Sequence, residues 1–177
     1  MPYLGSTVFV ATVALSFLLA LNAWWLLCRA LAPRFVARAQ ARFRDAPGLT
    51  LLTGAGLGGA CALAASLLAL APHPAAKLLG TAALPGLAAF ALAGAAGLAG
   101  RIGEGLATPA DRGRAWVQVL RGGAVLELSF LLPLFGWFVI APLALVGGFG
   151  AALGALAGSV AARLGASSQR VAVADAP

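Results

Sequence analysis

Charged side chains are scarce in this sequence of 177 residues, since only 10% are Asp, Glu, Lys or Arg. The chain has five acidic residues, one lysine, one histidine and two cysteines. This inventory argues against metal catalysis, because the only histidine, His73, has no cluster of other ligand residues near it. Phosphate-loop lysine motifs are also absent. We therefore expect no metal, no cofactor and no enzymatic activity.

Cys28 and Cys61 are the whole thiol content. One falls near the end of the first apolar segment and the other near the middle of the second, so their positions do not predict a disulfide. We interpret both as small apolar residues.

Apolar residues, by contrast, are abundant: they make up 62% of the chain, and the mean hydropathy is +0.97. A soluble domain of this size could not cover so much apolar surface. We predict one all-α integral membrane domain over residues 1–164, followed by a flexible cytoplasmic tail over residues 165–177. The first apolar segment has no basic region before it and no convincing cleavage site, so we interpret it as a retained helix.

Five transmembrane helices are predicted from the apolar segments. The stretch from Ala115 to Ala162 is too long for one span, and Pro133 with Gly136 predicts a tight hairpin within it. Thr108, Pro109 and Asp111 indicate a helix start. The predicted spans are about Leu4–Leu27, Leu51–Ala71, Leu78–Ala99, Pro109–Leu132 and Trp137–Arg163. The alternative is four spans, the last one kinked.

The distribution of basic residues predicts the orientation of these helices. Eleven of the twelve are arginines that five spans place on one side of the membrane, leaving only Lys77 on the other. The positive-inside rule then puts the N-terminus outside and the arginines in the cytoplasm, at a bacterial inner membrane. Four spans would send Arg163 and Arg170 outside and weaken this bias.

A short basic amphipathic helix is predicted between the first two spans, over Pro33 to Arg44. Its arginines Arg34, Arg38 and Arg42 are spaced four apart, and Phe35, Val36, Ala39 and Phe43 occupy another face. We expect it to lie in the membrane interface. There Arg34, Arg38, Arg42 and Arg44 would contact anionic lipid headgroups or an acidic partner. The net charge of +7 therefore does not point to nucleic acid.

Small residues form stripes that predict close helix packing. Gly54 and Gly58 mark the second span, and Gly150, Gly154 and Gly158 mark the fifth. We expect these stripes mainly to close the bundle internally, with one left for another membrane protein or for self-association. The run from Gly54 to Gly59 also matches G-x-G-x-x-G. It lies inside an apolar span rather than between a strand and a helix, so we reject a dinucleotide site.

Glu127 is the one acidic residue predicted to lie deep inside a span. A charge there costs about 2.5 to 3.5 kcal/mol, so the side chain should face the bundle. Two interpretations remain open, a protonated acid hydrogen-bonded between helices and a proton or cation relay. Arg121 points to a different side of the same helix. The candidate partners on other helices are Asn22, Thr53, Ser66 and Thr81.

The segment Leu132-Pro133-Leu134-Phe135-Gly136-Trp137, followed by Pro142 and by Gly147 to Ala151, resembles the membrane hairpin of small polytopic bacterial membrane proteins. It is also similar to the membrane segments attached to bactofilin-type proteins. The glycine-punctuated β-helical repeat of bactofilins is absent from this sequence, so the resemblance implies a bacterial membrane module and not filament formation. The sequence thus predicts a membrane accessory or scaffolding protein. The alternative is a small-solute or proton-coupled transporter or channel that uses Glu127.

Overall fold

The computed structural model describes residues 2–108, 111, 114–132 and 134–174, and every regular element in these ranges is helical. The prediction of an all-α chain is therefore confirmed. We number six helices in chain order: α1 Pro2–Leu31, α2 Pro33–Asp45, α3 Pro47–Ala69, α4 Pro74–Gly105, α5 Ala115–Phe130, and α6, which joins a π-helical turn at Gly136–Ile140 to Ala141–Ala174.

Proline begins each of helices α2, α3 and α4. At the first position of a helix the missing N–H is not needed, and the fixed φ angle suits the helical turn. Because α2 and α3 start one residue after the preceding helix ends, only Ala32 and Ala46 separate the first three helices. These two single-residue connections keep the end of α1, helix α2 and the start of α3 close together.

Four helical segments are long and apolar enough to cross a membrane: Thr7–Leu31, Pro47–Ala69, Pro74–Gly105 and Gly136–Ala162. Helix α5 has 16 residues, fewer than the roughly 20 that span the hydrocarbon core. Its predicted start at Pro109 lies outside the described residues, and the helix begins at Ala115 instead. The physical reason is that Thr108 and Asp111 close a turn of their own, in which Asp111 N–H donates to the Thr108 carbonyl at 2.9 Å.

The last helix differs from its predicted limits at both ends. It begins with the π-helical turn at Gly136 and continues through Ala174, whereas the sequence predicted a helix from Trp137 to Arg163. Gly165 alone does not end the helix, because the residues around it favour helical backbone. Residues 175–177 lie outside the described ranges.

Helix α4 is the centre of the bundle and contacts all five other helices. Most residues of its second half are glycine or alanine, and most of these small residues are buried. Small residues let neighbouring backbones approach closely, which is how helices gain packing energy in lipid. The main apolar core lies against this face and contains Trp25, Val36, Val119 and Leu126.

Candidate functional site: a buried polar pair and two grooves

Glu127 lies inside the bundle, facing α1. Its side chain is buried, and so is that of Asn22. Asn22 Nδ2 donates to Glu127 Oε2 at 3.4 Å and to the Leu120 carbonyl at 3.5 Å. Gly123 makes this approach possible, because a Cβ atom there would lie 3.0 Å from the Trp25 ring and 3.3 Å from Asn22 Nδ2. Of the sequence-predicted partners, Asn22 is the residue that meets Glu127.

Two oxygen atoms of this pair have no hydrogen-bond partner among the described residues, Glu127 Oε1 and Asn22 Oδ1. Both are acceptors when the acid is ionised, so neither can satisfy the other. A single proton on the carboxyl group adds the missing donor. The geometry therefore fits the neutral acid better than the carboxylate, since a buried charge without a partner is costly.

The other predicted partners of Glu127 are occupied within their own helices. Thr53, Ser66 and Thr81 each donate to a carbonyl four residues earlier, at 2.8 to 2.9 Å. Such bonds satisfy a hydroxyl locally in apolar surroundings. These residues are thus not brought to Glu127.

Arg121 binds Asp111 in the connection before α5, with Nη1 2.6 Å from Oδ2. The Thr108 hydroxyl and N–H donate to the same oxygen at 2.7 and 2.9 Å. The Thr108 hydroxyl bond is the largest influence holding the pKa of Asp111 below its ordinary value; the Thr108 backbone bond and Arg121 add to it, while burial opposes it. The sequence predicted that Asp111 lies at a helix start. It did not predict this ion pair, because the pair forms only when the connection before α5 folds back toward Arg121.

Helix α2 is held firmly in the bundle. Val36 and Ala39 are fully buried, and Phe35 and Phe43 pack against buried residues of the bundle. Gly97 on α4 makes room for it, because a Cβ there would lie 2.7 Å from Ala39 Cβ. The two phenylalanines therefore contact protein within the bundle, and the predicted position of α2 in the membrane interface stays a prediction.

The arginines of α2 have different surroundings. Arg44 pairs with Asp45 at 3.3 Å, and Arg42 lies across α6 where Gly154 leaves space. Arg34 and Arg38 line a groove of about 630 Å³ between α2 and α6, which we name the α2–α6 groove. Its walls are completed by Leu31, Ala32, Pro33, Phe35, Ala155, Leu156, Ser159 and Ala162.

Four of the five predicted packing glycines lie at helix contacts within the chain. A Cβ at Gly54 would collide with the Val146 carbonyl, and one at Gly150 would collide with the Thr50 carbonyl. Gly58 faces the Phe149 ring. Gly154 lies beneath Arg42, as described above, whereas Gly158 has no neighbour within 4 Å. Equally close approaches that the sequence reasoning did not single out occur at Gly80, Gly103, Gly122 and Gly148.

A second groove, of about 300 Å³, opens between α3, α4 and α6. We name it the small-residue groove, because Ala55, Gly59 and Ala62 line its α3 side. Gly59 has no atom within 4 Å of an ideal Cβ. Leu84 and Leu87 form the opposite side, on α4.

Within the described residues, no three His, Cys, Asp or Glu side chains come close enough to hold a metal ion. No protein-family model, no curated protein and no solved structure matches the chain. The function is therefore inferred from these surfaces alone.

Proposed function

We propose that this chain is an accessory or scaffolding protein of a bacterial cytoplasmic membrane, which binds an apolar helix of another membrane protein in the small-residue groove. The observation that carries the proposal is the open small-residue surface at Ala55, Gly59 and Ala62, beside helices that are already packed together. Small residues facing lipid are the surfaces through which membrane helices associate, because backbones can approach there.

The groove differs from the internal glycine contacts in a way that favours this role. Gly54 already holds α6 against α3, so its small size is needed by the fold. Gly59 is on the same helix, but its small size serves no contact among the described residues. A glycine costs helix stability of about 0.5 to 1 kcal/mol relative to alanine. A partner helix at Gly59 gives a reason for that cost.

Five crossings with the N-terminus outside accompany this proposal. Gly103 meets Gln118 and Gly122 meets Ala99, so α5 starts beside the end of α4 and runs antiparallel to it. Gly54 meets Val146 and Gly150 meets Thr50, so α6 is antiparallel to α3 and ends on the side where α3 starts. These two antiparallel contacts support a crossing of the membrane by the segment from α5 to Gly136. The α2 arginines lie in the cytoplasm under this arrangement.

Cysteine labelling tests these crossings, using a variant in which Cys28 and Cys61 are replaced by alanine. A membrane-impermeant maleimide added to intact cells should label Lys77→Cys and Leu134→Cys. It should label Arg44→Cys only after the membrane is opened. If intact cells are labelled at position 77 but not at position 134, four crossings would be supported instead.

Matched glycine variants test the partner. The tagged protein is purified from native membranes in mild detergent, and co-purifying proteins are identified and quantified by mass spectrometry. A stoichiometric partner should be retained by Gly56→Leu, which adds the same side chain at another open position on α3. It should be lost with Gly59→Leu. Equal retention by both variants, or the absence of any stoichiometric partner, would overturn the proposal; recovery of only a second copy would replace the partner by self-association.

The buried pair of Glu127 and Asn22 favours one second candidate, a proton-coupled or small-solute transporter. The unsatisfied carboxylate oxygen, Glu127 Oε1, is a position where a proton can bind inside the bundle. In reconstituted vesicles, Glu127→Gln should abolish flux while leaving the protein folded. Flux that is absent from the unmodified protein, or unchanged in the variant, would exclude this role.

A further inference from the structure

The α2–α6 groove combines two basic side chains with an apolar wall. Arg34 and Arg38 are one helical turn apart, so their guanidinium groups emerge from the same face of α2. Neither forms a hydrogen bond or ion pair within the described part of the chain, unlike Arg44, which is paired with Asp45. Below them, Ala155, Leu156 and Ala162 form an apolar wall.

The position of this wall indicates where the ligand lies. Ala155 to Ala162 belong to the segment Gly136–Ala162, which is long and apolar enough to cross a membrane, and Arg163 follows them in the sequence. A groove along this end of α6 reaches from the membrane surface into the apolar layer. A soluble anion would contact only the arginines, whereas an amphiphile would fill both parts.

Helix α2 is also held in a fixed position before any ligand arrives. Val36 and Ala39 are fully buried, and Ala32 alone connects α2 to α1. The two arginines are therefore presented by an ordered helix, which lowers the entropy lost on binding. Guanidinium groups bind phosphate through paired, charge-assisted hydrogen bonds.

We propose that the α2–α6 groove binds one anionic phospholipid, with its phosphate between Arg34 and Arg38 and an acyl chain against Leu156 and Ala162. We expect an anionic lipid to be preferred over a zwitterionic one. A zwitterionic headgroup carries a cation beside its phosphate, and that cation would oppose binding to two arginines. This site is separate from the small-residue groove, so its test is independent of the proposed partner.

The test uses the full chain in nanodiscs made from equal parts phosphatidylglycerol and phosphatidylcholine. Native mass spectrometry after release counts the lipids that remain bound. The unmodified protein should retain one phosphatidylglycerol in preference to phosphatidylcholine. In the double variant Arg34→Gln, Arg38→Gln, the retained fraction should fall by about tenfold or more, because charged hydrogen bonds to the phosphate are lost. Arg44→Gln, on the same helix, should bind as the unmodified protein does.

The apolar half of the site is tested by Ala162→Trp, which fills the groove while leaving both arginines in place. It should also lower retention of phosphatidylglycerol, and inorganic phosphate should not compete. Unchanged retention in the double variant would overturn the proposal, and so would an equal loss with Arg44→Gln. Competition by phosphate together with normal binding by Ala162→Trp would leave an anion site with no lipid specificity, which also overturns it.

Discussion

Two glycines on α4 predict opposite effects of the same substitution. A Cβ at Gly94 would collide with the Gly148 carbonyl of α6 and lie 3.0 Å from Ala152 Cβ. A Cβ at Gly86 would meet nothing within 4 Å. We therefore expect Gly94→Ala to destabilise the protein and Gly86→Ala to leave it unchanged or stabilise it.

The magnitude at Gly94 follows from the kind of atom that is hit. The obstacle is backbone, and an alanine methyl has no rotamer to adopt, so the helices have to separate by on the order of 1 Å. A gap of that size forfeits a quarter to a half of the dispersion energy between the atoms concerned. Overpacking costs about 1 to 3 kcal/mol, while replacing glycine within a helix returns about 0.5 to 1 kcal/mol. The net loss should be about 1 to 2 kcal/mol.

Unfolding by increasing fractions of sodium dodecyl sulfate in mixed micelles, followed by circular dichroism, measures the difference. Gly86→Ala should show a free energy of unfolding equal to that of the unmodified protein, or higher by about 0.5 to 1 kcal/mol. If Gly94→Ala were as stable as Gly86→Ala, the close approach of α4 and α6 would be refuted.

Substitutions at three further positions probe other contacts. Glu127→Gln should keep or raise the free energy of unfolding, because the new amide can donate to Asn22 Oδ1; Glu127→Leu should lower it by about 1 to 3 kcal/mol in the same micelle assay. The pKa of Asp111 is lowered in the folded protein, so the ionised side chain stabilises the fold. This stabilisation is complete above the ordinary Asp pKa of about 4, and it is lost as the pH falls through the lower pKa of the folded protein. Asp111→Asn should flatten that part of a stability-against-pH curve, and an unchanged curve would contradict the contacts with Thr108. Val36→Ala should lower the free energy of unfolding by about 1 to 2 kcal/mol in the micelle assay. If it lowered that free energy by less than Val8→Ala, which changes an exposed valine, the burial of α2 in the bundle would be contradicted.

The helical character and the approximate apolar segments follow directly from the sequence. Long apolar runs between arginine clusters are sufficient to predict them, and the four-residue spacing of the α2 arginines correctly separated that face from buried Val36 and Ala39. These are local signals, because helix periodicity decides which residues share a face.

What the sequence could not supply are the contacts between distant residues. Asn22 and Glu127 are 105 positions apart, and their meeting depends on how α1 and α5 cross. The start of α5 was missed because the hydrogen bonds of Thr108 with Asp111 favour a separate turn over an extension of the helix. A glycine stripe likewise predicts close packing without naming the carbonyl it faces. Gly54 and Gly59 look alike in the sequence, yet only Gly54 is covered.

The buried position of α2 also has a consequence for the protein during its synthesis. Ala39 packs against Gly97 of α4 and is buried with Ala151 and Ala155 of α6, all of which are synthesised after it. When α2 leaves the ribosome, therefore, neither α4 nor α6 has been synthesised. Its buried face therefore has no cover from α4 or α6 until those helices have been synthesised. A chain truncated before α6 would leave Ala39 without Ala151 and Ala155, so that face of α2 would be exposed to chaperones and proteases.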